Sequence, residues 1–170
     1  SGGGAYTHMT LWSETTAGMH NLFRLGSLAS LEGYYFKPRM DRDLLTRYSD
    51  GLIATSGCPS GEVQTRIKLG QWDEAVRAAG EMQDLFGKDN YFIELMDHDL
   101  EIERRVFRDL VELGRTIGAP LVATNDLHYV RQEDHTAHET MLAVQSNSLL
   151  SDPTYDQGGS RFAFSGDTFY

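Results

Sequence analysis

Cysteine is nearly absent from the 170-residue chain. Cys58 stands alone, so no internal disulfide can form, and its thiol is a small buried hydrophobe, a nucleophile or a metal ligand. No apolar run approaches the ~20 residues of a membrane span, and the N-terminus lacks the basic and apolar regions of a signal peptide. The expected location is the cytoplasm, away from any membrane. Basic residues are the minority: 15 Lys and Arg stand against 25 Asp and Glu, a formal charge of −10. That balance argues against broad nonspecific adhesion to nucleic acid or anionic membrane. It leaves room for a cation-bridged phosphate site, because bound metal ions invert the local potential. Gly-x-Ser-x-Gly and Gly-x-Gly-x-x-Gly are both missing. Cys58-Pro59-Ser60-Gly61-Glu62 lacks the closing Arg of a cysteine phosphatase loop and the Gly-Lys-Ser/Thr of a nucleotide loop.

What is present fits one soluble domain, with 40% hydrophobic and 24% charged residues. Ser1 to Ala5 is glycine-rich and reads as a flexible lead. Tyr6 to Trp12 alternates large and polar side chains, which predicts a strand with His8 near its middle. Thr16 is placed to cap a helix carrying Met19, Leu22, Phe23 and Leu28, and Asp41 to cap a short helix through Leu44, Leu45 and Tyr48. Leu52-Ile53-Ala54-Thr55 is a short apolar strand. It runs into Ser56-Gly57-Cys58, with Ser60 positioned to cap a helix from Glu62 to Leu69. Trp72, Ala75, Val76, Ala79, Met82 and Phe86 mark an amphipathic helix closed by Gly87. Tyr91 to Met96 is a third strand, and Asp97-His98-Asp99 then suits an N-cap cluster for a helix through Ile102, Val106, Leu110, Leu113 and Ile117. Leu121 to Thr124 is a buried strand, and Asp134 caps a helix whose His135 and His138 face solvent. Phe162-Ala163-Phe164 and Phe169-Tyr170 are β-prone. Apolar strands separated by helices of ten or more residues require crossovers, hence an α/β class with a parallel sheet.

Chemistry concentrates where strands end. Asp126 and His128 follow the strand at 121–124, and period-2 geometry would point both side chains the same way. A carboxylate and an imidazole suit zinc, manganese or iron. His8 and Cys58 belong to two other strands, so sequentially distant ligand types converge on one sheet rim, where α/β folds place their chemistry. The main alternative is a cysteine nucleophile, with Cys58 at a helix N-terminus that lowers its thiol pKa.

Three strings in this order, His8-Met9-Thr10-Leu11, Ser56-Gly57-Cys58-Pro59-Ser60-Gly61-Glu62 and Ala123-Thr124-Asn125-Asp126-Leu127-His128-Tyr129, resemble the PHP (polymerase and histidinol phosphatase) domain of bacterial replicative DNA polymerase III alpha subunits. Tyr91 to His98 and Phe162 to Tyr170 match the same pattern. The resemblance implies part of a (β/α)7 TIM-like barrel, with His8, Cys58, Asp126 and His128 as metal ligands and Asp126 and His128 as catalytic residues. Intact family members hold a trinuclear divalent cluster, usually zinc, that supports 3′-to-5′ exonuclease proofreading. The resemblance also implies a primer-template DNA partner and replisome subunits such as the sliding clamp. The family's early His-x-His pair and the Asp, His and Glu after it have no counterpart here. Residues 6–150 are therefore expected to be the C-terminal portion of the domain and 151–170 a connector toward the polymerase palm. Neither polymerase activity nor the full cluster is expected of this chain alone. The competing expectations are a stand-alone phosphoesterase of histidinol-phosphatase type and a catalytically silent domain that braces the polymerase.

Overall fold

A computed structural model describes residues 6–170, and the expected flexible lead at residues 1–5 lies outside them. The elements are β1 (Thr10–Ser13), α1 (Thr16–Leu31), α2 (Arg42–Tyr48), β2 (Leu52–Thr55), α3 (Glu62–Lys68), α4 (Trp72–Phe86), β3 (Tyr91–Leu95), α5 (Glu101–Ile117), β4 (Leu121–Ala123) and α6 (His135–Gln145). Single 3-10 turns cover Gln132–Asp134 and Tyr155–Gln157.

The strands form one sheet in the order β1-β2-β3-β4. β2, β3 and β4 are mutually parallel, as their helical crossovers demand, so the class is α/β. β1 runs antiparallel to β2, with Thr10 opposite Thr55. The first strand is therefore shorter than Tyr6 to Trp12. His8 lies just before it and makes one parallel bridge, to Gly61.

The interior is built on the two central strands. Leu52 and Ala54 of β2 and Tyr91 and Ile93 of β3 pack with Leu25 of α1, Ala75 and Ala79 of α4 and Leu113 of α5. Each fully buried side chain of leucine or isoleucine size contributes about 1.5–3 kcal/mol of transfer free energy. β4 differs from the expected buried strand: it is the sheet's edge, and Leu121 is 44% exposed.

Capping largely follows short polar side chains. Asp41 accepts from the Leu44 N–H at 2.9 Å, as expected. Thr15, not Thr16, caps α1, accepting from the Gly18 N–H at 3.0 Å. Gly61, not Ser60, precedes α3, and no side chain caps that helix. Asp97-His98-Asp99 is no cap either, since Leu100 holds that position. Asp134 sits at the N-cap of α6, but its carboxylate accepts from the Arg131 N–H instead. The β-prone segments at 162–164 and 169–170 form no strand, and the Phe169 carbonyl accepts instead from the loop N–H groups of His128 and Tyr129.

Candidate metal centre

The loop after β2 carries the thiol. Gly57 has φ +82°, and a Cβ there would lie 3.0 Å from the His8 carbonyl oxygen. Glycine thus allows this turn to run directly beside the N-terminal segment. The His8 N–H donates to the Ser60 carbonyl at 3.2 Å, which completes the contact between segments. The result is a pairing of side chains: His8 Nδ1 lies 3.7 Å from Cys58 Sγ. The His8 ring stacks on Tyr6 with centroids 5.9 Å apart, which fixes its plane.

His8, Cys58 and Asp126 all line one cleft of about 1090 Å³, together with Glu62, Glu94, Thr124, Trp12 and Lys37. His128 does not line it. The two residues do not point the same way, because Asp126 has φ +41° and breaks the strand's alternation. His128 Nδ1 pairs with the Asp126 carbonyl oxygen at 2.6 Å, and its ring lies against Phe164 at 4.5 Å and His138 at 5.5 Å. Among the described residues no three His, Cys, Asp or Glu side chains are grouped closely enough to hold a metal ion.

The chemistry of the pair still suits zinc. Tetrahedral bonds of about 2.05 Å to nitrogen and about 2.3 Å to sulfur put the two donors about 3.6 Å apart. The observed 3.7 Å matches that edge. A thiolate donor favours zinc over magnesium.

The loop holding Asp126 is fastened from below and behind. Asn125 Nδ2 donates to the Thr168 carbonyl at 2.8 Å and also to the Tyr170 carbonyl. The Phe169 carbonyl accepts from the His128 N–H at 2.9 Å, and the Phe169 N–H donates to Tyr129 Oη at 3.2 Å. His98 is buried beneath this loop. Its Nδ1 meets Glu103 Oε1 at 2.6 Å, its Nε2 meets the Asn125 carbonyl at 2.8 Å, and its ring stacks on Phe169 at 4.0 Å. Burial pulls the His98 pKa down, but the Glu103 and Asn125 hydrogen bonds and the Glu103 and Asp126 charges outweigh it, so the net shift is upward. His98 thus pins the loop through both of its ring nitrogens. His135 and His138, expected at the surface, are half-buried against Tyr129, and His138 also touches Phe164. Burial first, then His128 and His135, lowers the His138 pKa.

Two residues beside the candidate site escaped the sequence reading. Glu94 sits on the cleft floor, and Lys68 Nζ donates to the Pro59 carbonyl at 2.6 Å, tying α3 to the cysteine turn. The signal for Glu94 is a lone carboxylate inside the apolar run Tyr91 to Met96.

The family model described as PHP domain matches residues 3–98. The chain belongs to the PHP domain family. Its alternating strands and helices are consistent with part of a PHP TIM-like barrel. The whole chain is also similar to DNA polymerase III subunit alpha of Saccharopolyspora erythraea, 52% identical over 170 residues. The corresponding protein of Mycobacterium tuberculosis is 50% identical over 171 residues, and in both cases all of this PHP-family chain matches 14% of the relative. The Thermus aquaticus protein of that name is 44% identical over 167 residues, 98% of this chain and 13% of its own length. The chain thus spans a small part of the curated relatives it matches.

Proposed function

We propose that this PHP-family chain is part of a bacterial DNA polymerase III alpha subunit and that its cleft is a metal-dependent phosphoesterase site, acting as a 3′-to-5′ exonuclease in proofreading. The observation that carries the reading is the His8–Cys58 pair, set at a zinc-like donor separation on a cleft that Asp126 also lines. His8 and Cys58 would supply two of the donors, and Asp126 and His128 would complete the set only after the loop that carries them moves toward that pair and the His128 ring leaves Phe164. Zinc is the preferred ion, with manganese or iron as the other candidates. The chemistry such an ion supplies when bound is Lewis acidity toward a phosphodiester oxygen and a lowered pKa for water.

The protein's own part is placement. Tyr6 stacking orients the His8 ring, and Lys68 with Gln64 fixes the cysteine turn. The Phe169 contacts fix the backbone that presents Asp126. Residues 6–150 would be the C-terminal portion of the domain and 151–170 a connector toward the palm. Primer-template DNA and replisome subunits such as the sliding clamp would be partners of the whole cytoplasmic polymerase. The isolated chain would neither extend primers nor hold the full cluster.

The test is an exonuclease assay on a 3′-mismatched primer with the full-length polymerase and its Asp126→Ala variant. Loss of exonuclease with nucleotide addition retained is expected. Unchanged exonuclease would overturn the assignment.

A further inference from the structure

The cleft floor holds a carboxylate bonded to both walls. Glu94 is 4% exposed, and its two oxygens accept from the segments on either side of β3: Oε2 from the Thr55 hydroxyl and Oε1 from the Thr124 hydroxyl, each at 2.5 Å. Its own N–H donates to Ser56 Oγ at 2.9 Å. Gln64 Nε2 donates to that same oxygen at 3.2 Å and to the Gly57 carbonyl at 2.6 Å.

The positions of these partners give the network its consequence. Thr55 closes β2, three residues before Cys58. Thr124 follows β4, two residues before Asp126. The β2–β3 ladder ends with Thr55 opposite Phe92 and the β3–β4 ladder with Ala123 opposite Leu95, so Glu94 lies on β3 between the two ends. The backbone bonds that follow, Ser56 N–H to the Phe92 carbonyl at 2.9 Å and Thr124 N–H to the Leu95 carbonyl at 3.1 Å, tie each arm to β3 and not to the other arm. A carboxylate is a costly way to fill buried space, and an aliphatic side chain would join the strands without that desolvation. Its two oxygens supply what an aliphatic group cannot: a directional hydrogen bond from one side chain to each arm.

We propose that Glu94 is a positioning residue that couples the Cys58 arm to the Asp126 arm and sets the span between them. The functional sense of this inference rests on the cleft being the phosphoesterase site. The coupling itself stands on Thr55, Glu94 and Thr124 alone.

The test is amide hydrogen exchange, read by NMR on the full chain in the presence of a chelator, for the wild type, Thr124→Val, Thr124→Ser and Glu94→Gln. The reporting amides are Ser56 and Gly61, which donate to the Phe92 and Cys58 carbonyls. A buried hydrogen bond carries enough free energy that Thr124→Val should speed exchange at both amides about tenfold, although the change lies on the opposite arm. Thr124→Ser, which keeps the hydroxyl, should restore wild-type rates, and Glu94→Gln should speed both arms. Faster exchange confined to residues 121–127, or a Ser variant as fast as the Val variant, would overturn the proposal. Because no metal is present, failure of the phosphoesterase reading leaves this measurement unaffected, and failure here leaves the exonuclease assay standing.

Discussion

The two arms of the cleft are held by different means. The Cys58 turn leaves β2, a central strand, and is fastened within a few residues by Gln64, Lys68 and the Gly61 N–H bond to the Cys58 carbonyl. The Asp126–His128 turn leaves β4, an edge strand, and is fastened by residues some forty positions later, chiefly Thr168, Phe169 and Tyr170. The first arm draws its rigidity from the sheet core. The second draws it from a strap and from the buried His98–Glu103 pair. That difference accounts for what each arm presents: Cys58 stands beside its partner His8, whereas His128 is turned into an aromatic cluster.

Breaking the buried pair should have the largest effect. Glu103→Gln removes the buried carboxylate that accepts from both the His98 N–H and its ring and should cost about 3 kcal/mol, read by urea unfolding of the full chain. The pair also sets a pH dependence. The folded-state pKa of His98 is raised, so its stabilisation is complete below the ordinary imidazole value of about 6.5 and is lost as pH rises through the higher folded value. The melting temperature should therefore fall as pH increases above about 6.5, and Glu103→Gln should flatten that slope. A slope that survives the substitution would remove His98 from the account.

Truncating the strap comes next. Phe169→Ala removes a side chain that is 3% exposed and should cost about 3 kcal/mol. Hydrogen exchange should quicken most at residues 125–129. Equal quickening at residues 56–61 would erase the distinction between the arms. The smallest effect belongs to the arm with several local fastenings: Lys68→Met, which removes the donor to the Pro59 carbonyl, should cost about 1 kcal/mol in the same unfolding experiment.

The legible part of the sequence was the part governed by local rules. Apolar periodicity located α4 and α5, and Gly118 closes α5 in the left-handed conformation that a glycine stop predicts. Alternating strands and helices gave the parallel order of β2, β3 and β4. The site was partly legible, since His8 and Cys58 are neighbours and Asp126 shares their cleft. His128 was misplaced because period-2 reasoning ends where Asp126 takes a positive φ. Glu94 and His98 were missed or misread because their partners, Thr55, Thr124 and the Asn125 carbonyl, are brought near by the sheet and not by the sequence.

Elemental analysis of the full-length protein that carries this chain, compared with its Cys58→Ala variant, bears most directly on the metal reading. Bound zinc, or manganese or iron, that falls in the variant while the fold is retained is the predicted result. A metal-free wild type, or identical metal content in both proteins, would contradict the account and leave the His8–Cys58 pair as a structural contact.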